Sequence, residues 1–160
     1  MRGLKDKVFI VAGGGSGIGA ATAERLGEEG ARVVVGDYDA GNAKRIADGI
    51  ASRGGKAIAV QFDISQEPSV NALVATAVDE YGGIDGMHVN AADMVSILSD
   101  TDAASVDLAI FDRTFAVNLR GHLLCTRAAL PHLLKRGGSL VYTSSGAAYM
   151  GEPTRVSYGV

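Results

Sequence analysis

The sequence predicts an α/β fold, a doubly wound parallel sheet of strand order 3-2-1-4-5 with helices on both faces, in three layers. Three observations carry this. Short apolar runs alternate with longer helical patterns along the chain, the signature of βαβ units. The runs are continuous and do not alternate apolar with polar, as strands covered on both faces require. The first run also passes straight into a glycine cluster that opens a helical stretch, which points to a ligand over the carboxyl ends of the strands.

Taken in order, Val8–Ala12 is the first strand. A glycine turn follows, then a helix from Gly17 to Glu29, closed by Gly30. The valine-rich run Ala31–Asp37 is the second strand. Asp39 can cap a helix reaching Arg53, and Gly54-Gly55 breaks it. Lys56–Phe62 is the third strand. Ser65 is expected to cap the next helix, with Pro68 tolerated in its first turn and Gly82-Gly83 ending it after Tyr81. Gly86–Asn90 is the fourth strand, and Ala91 to Ala104 reads as a loop with short helices. From Ser105 to Lys135 the pattern is helical, with Phe111, Phe115, Leu119 and Leu123 at i+4 spacing, and Pro131 is expected to bend or end it early. After Gly137-Gly138, Ser139–Thr143 is the fifth strand. Ser144 to Val160 is a small-residue loop that enters another helix.

With 160 residues, 47% hydrophobic and 21% charged, the chain fits one globular domain over 1–160 that needs no disulfide or metal to hold its core. A net charge of −3 gives no basic stripe, so no nucleic-acid partner is expected. Cys125 is the sole cysteine, which excludes an internal disulfide and suits a reducing compartment. The run Val8–Ala12 is too short for a signal-peptide core or a membrane span. The expected location is the cytoplasm, without a membrane partner.

The turn Ala12-Gly13-Gly14-Gly15-Ser16-Gly17-Ile18-Gly19 joins a strand to a helix. Glycine serves three needs there: a tight turn with positive φ, close approach of backbone to a pyrophosphate, and close packing of helix on strand. N–H groups at the helix start then face the phosphates, aided by the helix dipole. The plainer alternative for glycine spacing alone is an ordinary turn. The context of strand, helix and βαβ unit favours a dinucleotide, as does Asp37, 18 residues after Gly19 at the end of the second strand. An acid there can accept from the adenosine ribose hydroxyls; otherwise it is a solvated turn residue. A carboxylate repels a 2′-phosphate, and no Lys or Arg lies between Gly13 and Gly19, so NAD is expected over NADP.

With these residues the chain resembles the short-chain dehydrogenase/reductase family, over essentially its whole length. The family's TGxxxGxG turn corresponds to Ala12-Gly13-xxx-Gly17-Ile18-Gly19, with Ala in place of Thr. The acid after the second strand corresponds to Asp37, followed by Tyr38, and the Asp near the adenine to Asp63, followed by Ile64. The Asn-Asn-Ala-Gly element appears in degenerate form as Val89-Asn90-Ala91-Ala92. Val117-Asn118-Leu119 resembles the segment carrying the family's active-site Asn. Tyr158 stands 13 residues after Ser145, the family spacing between catalytic Ser and Tyr. The Lys of the family's Tyr-xxx-Lys motif falls two positions past Val160.

The resemblance implies a Rossmann-type fold and hydride transfer between nicotinamide and a secondary alcohol or carbonyl, with NAD as cofactor. It implies cofactor contacts from Gly13, Gly15, Ser16, Gly17, Ile18, Gly19, Asp37, Tyr38, Asp63, Ile64, Asn90, Ala91 and Ala92. It implies Tyr158 as the general acid/base, assisted by the positive charge of the Lys and of the oxidised nicotinamide. Ser145 would hydrogen-bond the substrate oxygen, and Asn118 would hold a water that relays protons. It further implies a small-molecule alcohol or ketone as partner and a homodimer or homotetramer packed along the 105–135 helix.

Each role has a plainer alternative. Ser145 is then a loop serine satisfying backbone groups, Tyr158 a packed tyrosine, and Asn118 an exposed helix position. His88, His122 and His132 lack metal-ligand spacing, so no metal site is expected. Cys125 is expected to be buried and inert, and Asp100, Asp102 and Asp107 to form a solvated acidic loop. Ser96–Thr101 and Ala147–Glu152 hint weakly at a substrate pocket. A second reading, if 160 residues are the whole polypeptide, is a truncated and catalytically silent dinucleotide-binding module that acts by binding or pairing. In it the fifth strand becomes a sheet edge, with apolar surface exposed.

Overall fold

The structure, a computed structural model, describes residues 3–159. Met1, Arg2 and Val160, at the two ends of the expected 1–160 domain, lie outside the described residues. Five strands, β1 (Val8–Ala12), β2 (Arg32–Asp37), β3 (Lys56–Gln61), β4 (Gly86–Val89) and β5 (Ser139–Tyr142), form one sheet of order β3-β2-β1-β4-β5. All four pairings are parallel, with Val11 opposite both Val35 and His88. This is the expected doubly wound order.

Side chains along each strand alternate between two cores. On one face Ile10, Val34, Met87 and Val89 pack with Val70, Leu73 and Val74 of α3 (Glu67–Tyr81) and with Leu124, Ala129 and Leu133 of α5 (Gly121–Arg136). On the other, Val11, Val33 and Val35 pack with Ala20 and Ala23 of α1 (Gly17–Glu28) and with Ala43, Ile46, Ala47 and Ile50 of α2 (Ala40–Ser52). The central strands are buried on both sides, which is why they read as unbroken apolar runs.

Helix ends follow local chemistry at several points. The Asp39 carboxylate accepts from the Asn42 N–H at 2.9 Å and caps α2 as expected. Gly82, at φ 77°, ends α3 in the left-handed region. Three expectations need correction. Ser65 does not cap α3: Gln66 holds that position, and the Ser65 hydroxyl donates to Asp63 Oδ1 at 2.6 Å. Pro131 does not end its helix early, because α5 continues to Arg136. Its flanking turns are anchored in the core through Ala129 and Leu133, which outweighs one missing N–H. The long helix is also not continuous. Asp107 caps α4 (Leu108–Phe115) by accepting from Ala109 N–H, and a π turn (Ala116–Arg120) separates α4 from α5. Leu119 and Leu123 of the i+4 stripe point outward, 62% and 58% exposed, while Thr114, Val117 and Leu124 face in. The closing segment holds two short helices, α6 (Ala147–Met150) and α7 (Val156–Gly159). β5 is a sheet edge, with Val141 and Tyr142 exposed.

At the amino ends of the strands, Asp85 fastens three of them together. Its carboxylate accepts from Val8 N–H and Lys7 Nζ at 2.9 Å and from Arg136 Nη1 at 3.1 Å. Its own N–H donates to Val8 O, and its carbonyl accepts from Ser139 N–H. Burial pushes the carboxyl upward, but the bonds from Val8, Lys7 and Arg136 outweigh it and hold the group below the usual carboxylate range. Asp85→Asn keeps the shape and turns one acceptor into a donor. A loss of about 2 kcal/mol is expected, since hydrogen bonds to charged groups contribute ~1.5–3 kcal/mol. A folded-state value below the unfolded one means this stability is present above the unfolded carboxylate range and fades as pH falls through the folded value. Thermal melts from pH 7 down to pH 3 should therefore show the two proteins converging in acid; parallel curves would contradict this.

Candidate active site

The turn after β1 is set by its neighbours. Gly13 and Gly14 N–H groups both donate to Gly36 O, at 2.8 and 2.9 Å, which folds the chain across the end of β2. Gly13 has φ 85°, and a Cβ on it would lie 2.6 Å from Ala91 N. Gly19 is tighter still: a Cβ there would sit 1.9 Å from the Gly13 carbonyl oxygen. Both positions admit only glycine without moving backbone. The Asp37 carboxylate accepts from Gly15 N–H at 2.8 Å through one oxygen and from Asp39 N–H at 3.0 Å through the other. The Arg45 guanidinium, from α2, donates to Gly15 O at 2.9 Å. No local pattern marks Arg45, which reaches the turn from 30 residues away.

These residues fit a dinucleotide. The first turn of α1 has no intrahelical partners for its N–H groups, and the Ser16 side chain does not cap them. A Cβ on Gly17 would project into open space, so the face a pyrophosphate would occupy is clear. Ser16 and Gly17 are exposed, and Ile18 is held 64% exposed beside them. Tyr38 is likewise exposed next to Asp37.

A hydrogen-bonded chain supports the turn from below. Asn90 Nδ2 donates to Gly13 O at 3.1 Å, and Asn90 Oδ1 accepts the Thr143 hydroxyl proton at 2.8 Å. Thr143 has no second proton to give, so the His88 Nε2 contact at 2.8 Å makes His88 the donor. Its Nδ1 is then a buried acceptor without a partner among the described residues. Burial lowers the His88 pKa, in keeping with a neutral ring. Ala91 O accepts from His122 Nε2 at 3.0 Å, and Ala92 is exposed.

On the other side of the turn, Asp63 Oδ1 accepts from Ser65 N–H and hydroxyl, and Asp63 N–H donates to Ser69 Oγ. Ile64 is buried in the core.

Asn118 lies within the π turn, an insertion that widens the helix and often marks functional sites. Its Oδ1 accepts from Asp93 N–H at 2.8 Å. Burial pushes the Asp93 carboxyl upward, yet bonds from Ser96 and Val95 and the Arg113 charge hold it below its usual range. Ser145 follows β5, half-buried; its Oγ accepts from Ala147 N–H at 3.2 Å, which leaves its proton to donate. Tyr158 sits on α7, half-buried, and its phenol makes no hydrogen bond among the described residues. All three lie at the carboxyl end of the sheet.

One expectation about this region was wrong. Asp100 is not part of a solvated acidic loop: it is 7% exposed and accepts from Ser157 and Tyr158. Asp102 and Asp107 cap turns, as short polar side chains do. Cys125 is fully buried, and burial pushes its thiol up to about 12, which makes it inert as expected.

Fold and turn together define a doubly wound α/β protein with a glycine turn of the dinucleotide-binding form. The chain belongs to the short chain dehydrogenase family, whose model matches residues 7–160. It is 40% identical over 99% of its length to 2,5-dichloro-2,5-cyclohexadiene-1,4-diol dehydrogenase of Sphingobium indicum, and covers 62% of that protein. It is 38% identical over 97% of its length to versicolorin reductase of Emericella nidulans, and covers 58% of it. A solved 7α-hydroxysteroid dehydrogenase, complexed with NADH and 7-oxo glycochenodeoxycholic acid, matches 98% of this chain with a TM-score of 0.90 at 29% identity, over 60% of its own length. The chain thus spans about six-tenths of these relatives.

The Gly13–Gly19 contact yields a test. Gly19→Ala forces the turn open, because no rotamer can move a Cβ. NADH affinity, read by fluorescence titration, should fall at least ~tenfold, with an overpacking loss of ~1–3 kcal/mol in stability. Unchanged affinity would show that the turn is not where the dinucleotide is held.

Proposed function

We propose that this chain is the nucleotide-binding and catalytic part of an NAD-dependent oxidoreductase that interconverts a secondary alcohol and a carbonyl compound. The observation that carries this reading is the placement of Asn118, Ser145 and Tyr158 at the same end of the sheet as the Gly13–Gly19 turn. Residues 1–160 are read as one nucleotide-binding domain, acting on a small-molecule alcohol or ketone.

When bound, the nicotinamide supplies the hydride chemistry. Gly13, Gly15, Ser16, Gly17, Ile18 and Gly19 would cradle the pyrophosphate and orient the ring, with Asn90, Ala91 and Ala92 beside them. Asp37 and Tyr38 would flank the adenosine ribose, and Asp63 and Ile64 the adenine. Ser145 would donate its free proton to the substrate oxygen and stabilise the charge developing there. Tyr158 would move the proton at that oxygen, its phenol uncommitted to any protein group among the described residues. Asn118 would hold the relay water, its side chain anchored at Asp93.

NAD is favoured over NADP because the Asp37 carboxylate, fixed by Gly15 and Asp39, would oppose a 2′-phosphate. Exposed Leu119, Leu123, Leu130 and Leu134 line one outward face, which supports a homodimer or homotetramer. A lone buried cysteine suits the cytoplasm. No helix among the described residues is long and apolar enough to cross a membrane.

The deciding experiment is a panel of secondary alcohols and cyclic ketones assayed with NAD(H) and NADP(H). Tyr158→Phe should cut kcat by ~10²–10⁴ while NADH binding stays within twofold. Turnover indifferent to this change would overturn the assignment of Tyr158. Asp37→Ser should move the NADP-to-NAD ratio of kcat/KM toward NADP by at least ~tenfold, since a repelled charge near a phosphate is worth more than one kcal/mol. An unmoved ratio would remove Asp37 from cofactor choice.

A further inference from the structure

We propose that Asp100 is a positioning residue for Tyr158, and that the segment between β4 and α4 ties Tyr158 to Asn118. The inference rests on the reading of Tyr158 given above.

The α7 helix that carries Tyr158 has four described residues. A helix that short does not stand by itself, because nucleation fixes several residues for one or two hydrogen bonds. Its entry is also strained: Arg155 has φ 62°, a left-handed conformation unusual for a residue with a side chain. Order in this segment must come from contacts elsewhere in the chain.

Asp100 supplies them. Its Oδ1 accepts from the Ser157 hydroxyl at 2.8 Å and from Ser157 N–H at 3.3 Å, and its Oδ2 accepts from Tyr158 N–H at 3.0 Å. Both partners in the Ser157 bonds are buried, 7% and 3% exposed, where charge-assisted bonds are strong. Next to it, Thr101 O accepts from Val156 N–H at 3.0 Å. Two successive residues of the loop thus take up all three leading N–H groups of α7, which gives the backbone beneath the phenol a fixed height and rotation.

The same loop is fastened at its other end. Asp93 N–H donates to Asn118 Oδ1, and Asp93 in turn accepts from Val95 N–H and from Ser96 through both backbone and hydroxyl. Between the two fastenings, Ile97 is buried and anchors the middle. The loop therefore acts as a template that sets Tyr158 relative to Asn118, although the two are 40 positions apart in sequence.

The test uses the chain as its gene encodes it, in two parts. Asp100→Asn preserves volume but turns one acceptor into a donor that opposes the N–H groups of α7. Hydrogen exchange at the Ser157 and Tyr158 amides should accelerate at least tenfold, while amides of β1 and β4 keep the parent rate. Unchanged protection at 157 and 158 would overturn the proposal whatever the activity. In turnover, Asp100→Asn should lower kcat at least tenfold with NADH affinity within twofold, and Ser157→Ala, which leaves two of the three bonds, should lower it less. In the Tyr158→Phe background Asp100→Asn should then change kcat by less than twofold, because the group it positions is gone. A tenfold loss in both backgrounds would make Asp100 a general stabiliser and overturn the proposal. Accelerated exchange in a protein whose turnover ignores Tyr158 would leave the tie standing and refute the functional reading alone.

Discussion

The carbonyl of Gly13 is the point on which the carboxyl end of the sheet depends. Gly19 approaches it so closely that no side chain fits, and Asn90 donates to it from the end of β4. Its own residue's N–H is given to Gly36, at the end of β2. One residue thus fixes helix α1 against β1 and links three adjacent strand ends. The parallel arrangement makes this possible, since all strands stop on the same side and leave their last polar groups together. A buried peptide group left without partners would cost ~1–3 kcal/mol, so these ends must be closed by turns or side chains from neighbouring elements.

The closure continues outward in a fixed order. Thr143 orients the Asn90 amide, and His88 orients the Thr143 hydroxyl. Thr143 has a single proton and gives it to Asn90 Oδ1, so the direction of the chain is set and runs from His88 toward Gly13. A protonated His88 would still donate to Thr143, but would carry a charge into a site where burial disfavours it. The imidazole, on the strand next to β1, finishes the hydrogen bonding of the glycine turn.

Most of this architecture was legible where the signal was local. Val8–Ala12 appears as a strand because five apolar residues end in a glycine that can turn, and Asp39 appears as a cap because its partner is three residues on. The strand order was expected from the alternation of runs and the doubly wound class it points to. Local signals failed where a distant partner claimed the group. Ser65 has the chemistry of a cap, but Asp63 takes its hydroxyl and Arg113 donates to it from 48 residues away. Pro131 breaks isolated helices, but here core contacts on either side hold the helix through it. Asp100 looked solvated because its neighbours are polar, and its partners lie 57 and 58 residues downstream. The π turn under Asn118 has no local sequence signature at all.

Arg113 shows how magnitudes decide what such contacts do. Its guanidinium lies 3.8 Å from Asp63 and 3.6 Å from Asp93, and it donates to Ser65 Oγ at 3.0 Å. The side chain is 42% exposed, so the two ion pairs fall in the range where screening leaves ~0–1 kcal/mol each. They add little to stability. Their geometry is another matter, because one planar cation spans the loop after β3 and the loop after β4. Arg120 repeats the arrangement from the π turn by donating to Ser65 O at 3.1 Å. The loop after β3 and the loop after β4, which bonds to Asn118 and Tyr158, are thereby referenced to the same short stretch of helix. Where side chains from distant parts of a chain must meet in one geometry, a shared reference of this kind counts for more than any ion pair's energy.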